Sequence, residues 1–174
     1  MVVHREKQFL LTGMFMAFVG MLMSAIFRVQ LANPGEYSVL YNFLPGGWVS
    51  ADGALNPDKY LALVTMHGTI LVFWVLTAGL SGTFANFLIP LQIGARDMAS
   101  GFLNMLSYWF FFIATVVLIS SIYVQGGPAS GGWTIYPPLS ALPQAIPGSG
   151  TGMTLWLISI TLFVVGSLLG GLNY

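Results

Sequence analysis

The sequence has no cysteine and little charge. Of its 174 residues only 6% are Asp, Glu, Lys or Arg, and five basic residues balance five acidic ones. The lack of cysteine excludes disulfides, iron-sulfur clusters and thiolate-bound metals within these residues. The lack of a basic surface excludes nucleic-acid binding. Any metal chemistry must therefore use histidine, of which the chain has two.

Apolar residues dominate what is present. They make up 56% of the chain and the mean hydropathy is +0.83, whereas an average soluble domain carries roughly 25% charged residues. About 20 apolar residues cross a bilayer as a helix. Lipid offers the backbone no hydrogen-bond partners, so a single span must form a helix, which satisfies its own N–H and C=O groups. We expect an all-α membrane protein with four transmembrane helices near residues 9–31, 60–90, 102–124 and 153–172.

Basic residues are distributed unevenly between the loops. Arg5, Lys7 and Arg96 fall on one side of the four predicted spans, whereas Lys59 alone falls on the other. By the positive-inside rule, both ends of this segment are expected in the cytoplasm.

Two ionisable residues lie near the outer ends of the first two spans. His67 is the only histidine within a predicted span, and Arg28 lies five residues before Asn33. Burying an arginine in lipid is costly, so Arg28 needs a polar partner or must reach the headgroups. The residues alone leave two interpretations open. One is a functional pair, and the other is a snorkelling Arg28 beside a His67 that bonds a neighbouring carbonyl.

A second group of polar residues lies at the inner ends of the spans. Asn86 is near the end of the second span, Asp97 lies in the short turn, and Asn104 begins the third span. The residues alone also fit a structural interpretation. In it Asp97 lies in a solvated turn, Asn104 caps a helix, and the serine hydroxyls bond their own helices. The side chains that continue this group into the third and fourth spans are Ser107, Ser167 and Asn173.

Four runs of sequence carry a resemblance to a known family. They are TMHGTI at 65–70, NFLIPLQIGARDMA at 86–99, NMLSYW at 104–109 and GWTIYPPL at 132–139. Together they resemble subunit I of the haem-copper terminal oxidases, of the cytochrome c oxidase type. The resemblance covers nearly the whole chain. It implies that residues 1–174 are the N-terminal portion of a single transmembrane oxidase domain, contributing four helices to a twelve-helix bundle.

The resemblance implies a haem site at the outer ends of the first two spans. His67 would be an axial ligand of the low-spin haem iron (heme a), and Arg28 would bond the formyl group of that haem. Gly68 would leave room for the macrocycle. Trp133 would lie beside the propionates, and Tyr60 near the ligand. High-spin heme a3 and copper B are expected in a part of the polypeptide beyond these residues.

The resemblance also implies a water-filled proton pathway that starts at the cytoplasmic face. Asp97 would collect protons there, while amides and hydroxyls would orient water chains without trapping charge. The residues that match the start of this pathway are Asp97, Asn86, Asn104 and Ser107, and those that match positions farther along it are Ser167 and Asn173.

Four places depart from the family pattern. Phe9 stands where many relatives have a tyrosine beside the proton pathway. Gln30 stands in place of a glutamate that contributes to a calcium or sodium site in some members, so that site is not expected here. The runs SGF at 100–102 and WLIS at 156–159 replace the usual Phe-Pro-Arg and His-Leu-Ala-Gly.

The implied function is that of the catalytic subunit of a respiratory terminal oxidase. Electrons from cytochrome c would pass through the low-spin haem to a haem-copper centre that reduces dioxygen to water, coupled to proton pumping. The expected partners are oxidase subunits II and III, cytochrome c or a membrane-bound donor complex, and the lipid bilayer. The expected location is the cytoplasmic (inner) membrane of a bacterium.

Three alternatives stay open. Relatives that oxidise quinol often have an arginine and an aspartate at the positions of Val19 and Met23, so the residues here favour cytochrome c over quinol as donor. Nitric oxide reductases of the same family do not usually carry the set Asn86, Asp97 and Asn104. A non-catalytic membrane scaffold subunit would only pack against partners, and it would bind no haem.

Overall fold

The computed structural model describes residues 5–142, 144–146 and 150–174. Within these residues, four helices are long and apolar enough to cross a membrane. They are α1 (Arg5–Ala32), α2 (Pro57–Ile93), α3 (Gly101–Ser120) and α4 (Gly150–Gly171). This part of the chain forms no β-strand, only two isolated bridges. The prediction of an all-α protein with four membrane-crossing helices is confirmed.

The ends of the helices differ from the predicted ends of the spans. α1 begins at Arg5 rather than at residue 9, and α4 at Gly150 rather than at residue 153, because a helix can continue past the apolar run that marks its span. α3 ends at Ser120 rather than at residue 124. There the N–H groups of Ile122 and Tyr123 each bond a carbonyl three residues back, at 3.1 Å, and this tighter turn closes the helix.

The middle of α2 is not a regular α-helix. Ile70–Ser81 is wound as a π-helix, in which each N–H bonds the fifth preceding carbonyl. Thr77 adds a side-chain bond of the same reach, because its Oγ1 donates to the carbonyl of Val72 at 2.9 Å. α2 ends before Gly94, whose φ of 72° is the left-handed conformation that terminates many helices.

The contacts of the chain divide it into two compact units. The first unit consists of Met1–Ala17, Ile70–Leu118 and Leu157–Tyr174, and the second of Phe18–Thr69 and Ile119–Trp156. All the residues predicted for the haem site belong to the second unit. All those predicted for the proton pathway belong to the first.

Close helix packing holds the first unit together. A Cβ atom at Gly13 would lie 2.9 Å from the Cα of Gly79, so the backbones of α1 and α2 touch at this point and neither position has room for a side chain. Trp74 is fully buried, and its Nε1 donates to Oγ1 of Thr115 at 2.8 Å. Thr115 in turn donates to the carbonyl of Phe111 at 2.8 Å, so α2 is bonded to α3 inside the unit.

The run WLIS at 156–159 has a structural role in each unit. In the second unit Nε1 of Trp156 donates to Oγ1 of Thr69 at 3.1 Å, and Thr69 donates to the carbonyl of Thr65 at 2.9 Å. In the first unit Oγ of Ser159 donates to the carbonyl of Ala114 at 2.7 Å. The indole and the hydroxyl thus tie α4 to its neighbours, and a buried indole N–H requires such an acceptor.

Candidate functional site

In the second unit, His67 is held in one orientation by a backbone hydrogen bond. Its Nδ1 lies 2.9 Å from the carbonyl oxygen of Gly20 on α1. A carbonyl only accepts, so Nδ1 donates the proton of this hydrogen bond and Nε2 is the ring nitrogen that remains for a ligand. The ring of Phe27 packs edge-on against the imidazole with centroids 5.5 Å apart. This is the arrangement typical of a metal-ligating histidine, whose second nitrogen bonds a carbonyl or carboxylate.

Arg28 is exposed and lies on the same face of α1 as the residue that holds His67. Its Nε donates to Oγ of Ser24 at 3.2 Å, one turn earlier, and Gly20 lies one further turn back. Residues four apart lie above one another on a helix, so the three form one row. The terminal nitrogens of the guanidinium have no partner among the described residues and can donate to a polar group outside the chain.

Of the other residues predicted for the haem site, Tyr60 and Gly68 lie on α2 itself, and Trp133 packs against Gly68. A Cβ atom at Gly68 would lie 3.4 Å from Cδ1 of Trp133, so the room that Gly68 leaves is used by the indole in this structure. The predicted macrocycle contact of Gly68 stays a prediction. Tyr60 packs edge-on against Phe27 at 6.0 Å, and Phe27 therefore separates the rings of Tyr60 and His67.

The donor set around His67 fits a haem better than a free metal ion. Among the described residues, no three His, Cys, Asp or Glu side chains converge to hold an ion. A haem iron takes four ligands from the porphyrin and needs the protein only for the remaining positions. One oriented imidazole is therefore enough for this segment to contribute a ligand. The aromatic ring of Phe27 and the free donors of Arg28 suit a large apolar ring with polar substituents.

In the first unit, Asp97 lies in the turn between α2 and α3. It is half-buried, and its Oδ1 accepts a hydrogen bond from the N–H of Met98 at 2.8 Å. Asn86 is 5% exposed, and its Nδ2 donates to the carbonyl of Gly82 at 2.5 Å, whereas its Oδ1 is buried without a partner. A buried acceptor without a partner is costly, so a water molecule is the expected donor to it.

The end of α4 is tied to the start of α3 by Asn173. Its Oδ1 accepts from the N–H of Ser100 at 2.7 Å, and its Nδ2 is buried without a partner. Ser100 caps α3, because its Oγ accepts from the N–H of Leu103 at 3.3 Å. Asn104 is buried inside the first turns of that helix. The interpretation of Asn104 as the helix cap is therefore wrong.

The first unit has a cavity of about 180 Å³ that is open to the surface, and Thr77, Ser81 and Ser167 in its lining are exposed. At roughly 30 Å³ per molecule, this volume holds several waters. Two of the residues predicted for the proton pathway, Ser107 and Ser167, line it. Among the described residues, its lining does not include the other four, which are Asp97, Asn86, Asn104 and Asn173.

The cavity has three further hydroxyl groups that the sequence did not single out. Thr77 and Ser81 come from the π-helical part of α2, and Tyr174 follows α4. The spacing of four residues between Thr77 and Ser81, within an otherwise apolar span, was the available signal for two of them. Tyr174 carried no such signal, because only the packing of α4 brings it to the cavity.

A sequence model of the family described as Cytochrome C and Quinol oxidase polypeptide I matches residues 6–174. The chain belongs to this family. The match confirms the resemblance to haem-copper oxidase subunit I. Together with the four apolar helices, it identifies an integral membrane protein that crosses the membrane several times.

Curated relatives of this oxidase segment come from distant organisms. It is 41% identical over 167 residues to the alternative cytochrome c oxidase subunit 1 of Bradyrhizobium diazoefficiens, which covers 96% of this chain and 26% of the relative. It is 37% identical over 169 residues to the cytochrome c oxidase subunit 1 of Synechocystis sp., with coverage of 96% and 26%. It is 36% identical over 166 residues to the heme-copper oxidase subunit I+III of Aeropyrum pernix, with coverage of 95% and 18%. The chain thus spans about a quarter or less of the length of these relatives.

Proposed function

We propose that this segment belongs to the catalytic subunit of a respiratory terminal oxidase that takes electrons from cytochrome c, reduces dioxygen to water and translocates protons. The family match and the relatives named cytochrome c oxidase subunit 1 support this proposal. The observation that carries it is the bond between Nδ1 of His67 and the carbonyl of Gly20. The structural interpretation also predicts such a bond, so the ligand interpretation is favoured by the run TMHGTI around His67, with Nε2 as the nitrogen that remains available at membrane depth.

In this proposal His67 would hold the iron of a low-spin haem a, which when bound would supply reversible one-electron chemistry. Gly20 fixes the tautomer and the direction of Nε2. Arg28, held at its Nε by Ser24, offers its remaining donors to a polar substituent of the ring and adds positive charge beside it. The high-spin haem a3, copper B and their ligands come from parts of the protein beyond this segment.

The first unit has the proton-conducting role in this proposal. Asp97 is accessible in the turn, whereas Asn86 and Asn173 each keep a buried polar atom that calls for water. The cavity beyond them offers hydroxyl oxygens, among them those of Ser107 and Ser167. Water joining this carboxylate, these uncharged polar groups and the cavity would form a chain along which protons can move without a charge being trapped. The inner face of a bacterial membrane is the proposed side of uptake.

The proposed partners are oxidase subunits II and III and a cytochrome c donor. Quinol as donor is tested separately, by comparing the rates at which the purified oxidase consumes oxygen with reduced cytochrome c and with a water-soluble quinol. Val19 and Met23 stand at positions where quinol-oxidising relatives often have charged residues, so cytochrome c should be the faster donor. Oxidation of quinol alone would contradict this assignment.

The haem assignment is tested in the complete oxidase with His67→Ala. We expect the low-spin haem bands of the reduced-minus-oxidised spectrum to disappear, and pyridine haemochrome analysis to account for one haem fewer. The chain offers a matched control in its other histidine, so His4→Ala should leave both measurements unchanged. A normal six-coordinate spectrum in purified His67→Ala oxidase would show that His67 is not the ligand.

A further inference from the structure

The turn that contains Trp133 is joined to α2 by a side-chain hydrogen bond. The N–H of Gly132 donates to Oγ1 of Thr65 at 2.8 Å. Thr65 is 2% exposed, so its hydroxyl is shielded from bulk water, and a shielded donor that loses its acceptor is costly. The bond therefore fixes the backbone of the residue that directly precedes Trp133.

The backbone on both sides of Trp133 has an unusual conformation. Gly132 has a φ of 82° and Ile135 a φ of 42°, and both values lie in the left-handed region. Glycine adopts this region freely, whereas a β-branched residue does so rarely and only where its surroundings hold it there. Ile135 is 4% exposed, so its side chain is held by packing. The turn is thus fixed at Gly132 by a hydrogen bond and at Ile135 by burial.

This turn places the indole of Trp133 against α2, next to His67. A Cβ atom at Gly68 would lie 3.4 Å from Cδ1 and 3.6 Å from Cβ of Trp133, which is van der Waals contact. Thr65 and Gly68 are three residues apart in a regular α-helix, so they lie on the same face of α2. Gly68 directly follows His67, whose Nδ1 bonds the carbonyl of Gly20 on α1. The hydroxyl of Thr65 and the indole therefore lie within one turn of the proposed haem ligand.

Thr69 lies on the same face of α2 and binds a different element. Its Oγ1 accepts from Nε1 of Trp156 at 3.1 Å, which ties α2 to α4. Thr65 and Thr69 are thus two buried threonine hydroxyls one turn apart, of which the first holds the turn of Trp133 and the second holds α4. This pair allows the position of the indole to be tested separately from the general packing of α2.

We propose that Thr65 is a positioning residue that fixes Trp133 through the backbone of Gly132, so that the indole shields the haem site at His67 from water. This inference rests on the proposed function, in which His67 holds a low-spin haem. Water beside a haem favours the ferric state, because that state carries the additional positive charge. An indole that excludes water therefore raises the midpoint potential of the haem.

The test compares Thr65→Val, which removes the acceptor hydroxyl, with Thr65→Ser, which keeps it, in the complete oxidase. Thr65→Val should shift the equilibrium of the low-spin haem about threefold toward the ferric state, which lowers the midpoint potential by about 28 mV at 59 mV per tenfold change. Its electron paramagnetic resonance spectrum should remain that of a six-coordinate low-spin haem. Thr65→Ser should have the wild-type potential.

Thr69→Val is the matched control for a purely structural effect. It removes the bond to Trp156 from the same face of α2, so it should lower the thermal unfolding midpoint and leave the potential of the haem unchanged. A Thr65→Val oxidase that is less stable but has the wild-type potential would show that Thr65 is only structural. A potential that falls equally in Thr69→Val and Thr65→Val, or equally in Thr65→Ser and Thr65→Val, would also overturn the inference.

Trp133→Phe and the double variant with Thr65→Val show whether Thr65 acts through the indole. Trp133→Phe should lower the potential, and Thr65→Val should add nothing further in its presence, because the two residues act in series. Two shifts that simply add would mean that Thr65 acts on the haem by another route, which would overturn the inference.

His67→Ala measured in parallel separates this inference from the proposed function. If the low-spin signal is lost in His67→Ala while Thr65→Val and Trp133→Phe keep the wild-type potential, the role of Thr65 is overturned and the haem site at His67 stands. If the low-spin signal persists in His67→Ala, the haem assignment fails and the inference fails with it.

Discussion

Asp97→Asn should strongly slow proton delivery while leaving the fold almost unchanged. In the wild-type turn Oδ1 of Asp97 accepts from the N–H of Met98 at 2.8 Å, and the oxygen of an asparagine amide can accept the same bond. The turn is half-exposed, so the free energy of unfolding should fall by about 1 kcal/mol at most. Any large change in turnover therefore comes from the lost carboxylate and not from a damaged structure.

The two interpretations of Asp97 differ in their expected rates. If Asp97 is only a solvated turn residue beside Arg96, turnover should stay within about twofold, because an exposed ion pair contributes about 0–1 kcal/mol. If Asp97 collects protons, oxygen consumption should fall about tenfold or more, and proton release into the medium should be lost. Reduction of the low-spin haem and both haem spectra should be normal, because no bond to the haem site changes.

The assay combines oxygen consumption with proton release from liposomes containing the purified oxidase. Asp52→Asn is the matched control, since Asp52 also lies in an exposed turn and its Oδ1 accepts from a nearby backbone N–H, that of Ala54, at 3.3 Å. The control should turn over and pump as wild type. Normal turnover and normal pumping in Asp97→Asn would refute the account of the first unit as a proton pathway.

Three further changes test other contacts. Arg28→Met should move the low-spin haem band to shorter wavelength and lower its midpoint potential, because a cation beside the ring is removed, and an unchanged band and potential would leave the bond to Ser24 as the role of Arg28. Ser100→Ala should cost about 1 kcal/mol of stability, seen as a lower thermal unfolding midpoint, whereas Ser100→Asp, which restores a capping oxygen, should recover most of it. Trp156→Phe should also destabilise by about 1 kcal/mol, because the bond to Oγ1 of Thr69 is lost, and an unchanged midpoint would mean that this bond does not contribute.

The sequence predicted the four spans well because hydropathy along one helix is a local property. The ends were less accurate, since α3 stops at Ser120 through a hydrogen-bonded turn that hydropathy does not register. The π-helix of Ile70–Ser81 was not predicted either. Apart from Thr77 and Ser81 its residues are apolar or glycine, and the winding of such a segment depends on what packs against it.

In the candidate sites, too, single residues could be predicted from the sequence, whereas their contacts with distant residues could not. His67 and Asp97 stand out in the sequence because ionisable groups are rare in a chain with 6% charge. Their partners do not stand out, because Gly20 acts through its backbone carbonyl and is 47 residues away from His67. The cavity lined by Ser107, Ser167 and Tyr174 also has lining residues from α1 and α2, so no spacing within one helix could have revealed it.

The most direct test of the haem assignment is imidazole rescue of His67→Gly in the complete oxidase. Removing the whole side chain leaves a space beside the carbonyl of Gly20 that free imidazole can fill, with one nitrogen for the carbonyl and the other for the iron. Electron paramagnetic resonance of the oxidised enzyme should show the low-spin haem signal lost in His67→Gly and restored by added imidazole. A low-spin signal that persists in the variant without imidazole would contradict the account.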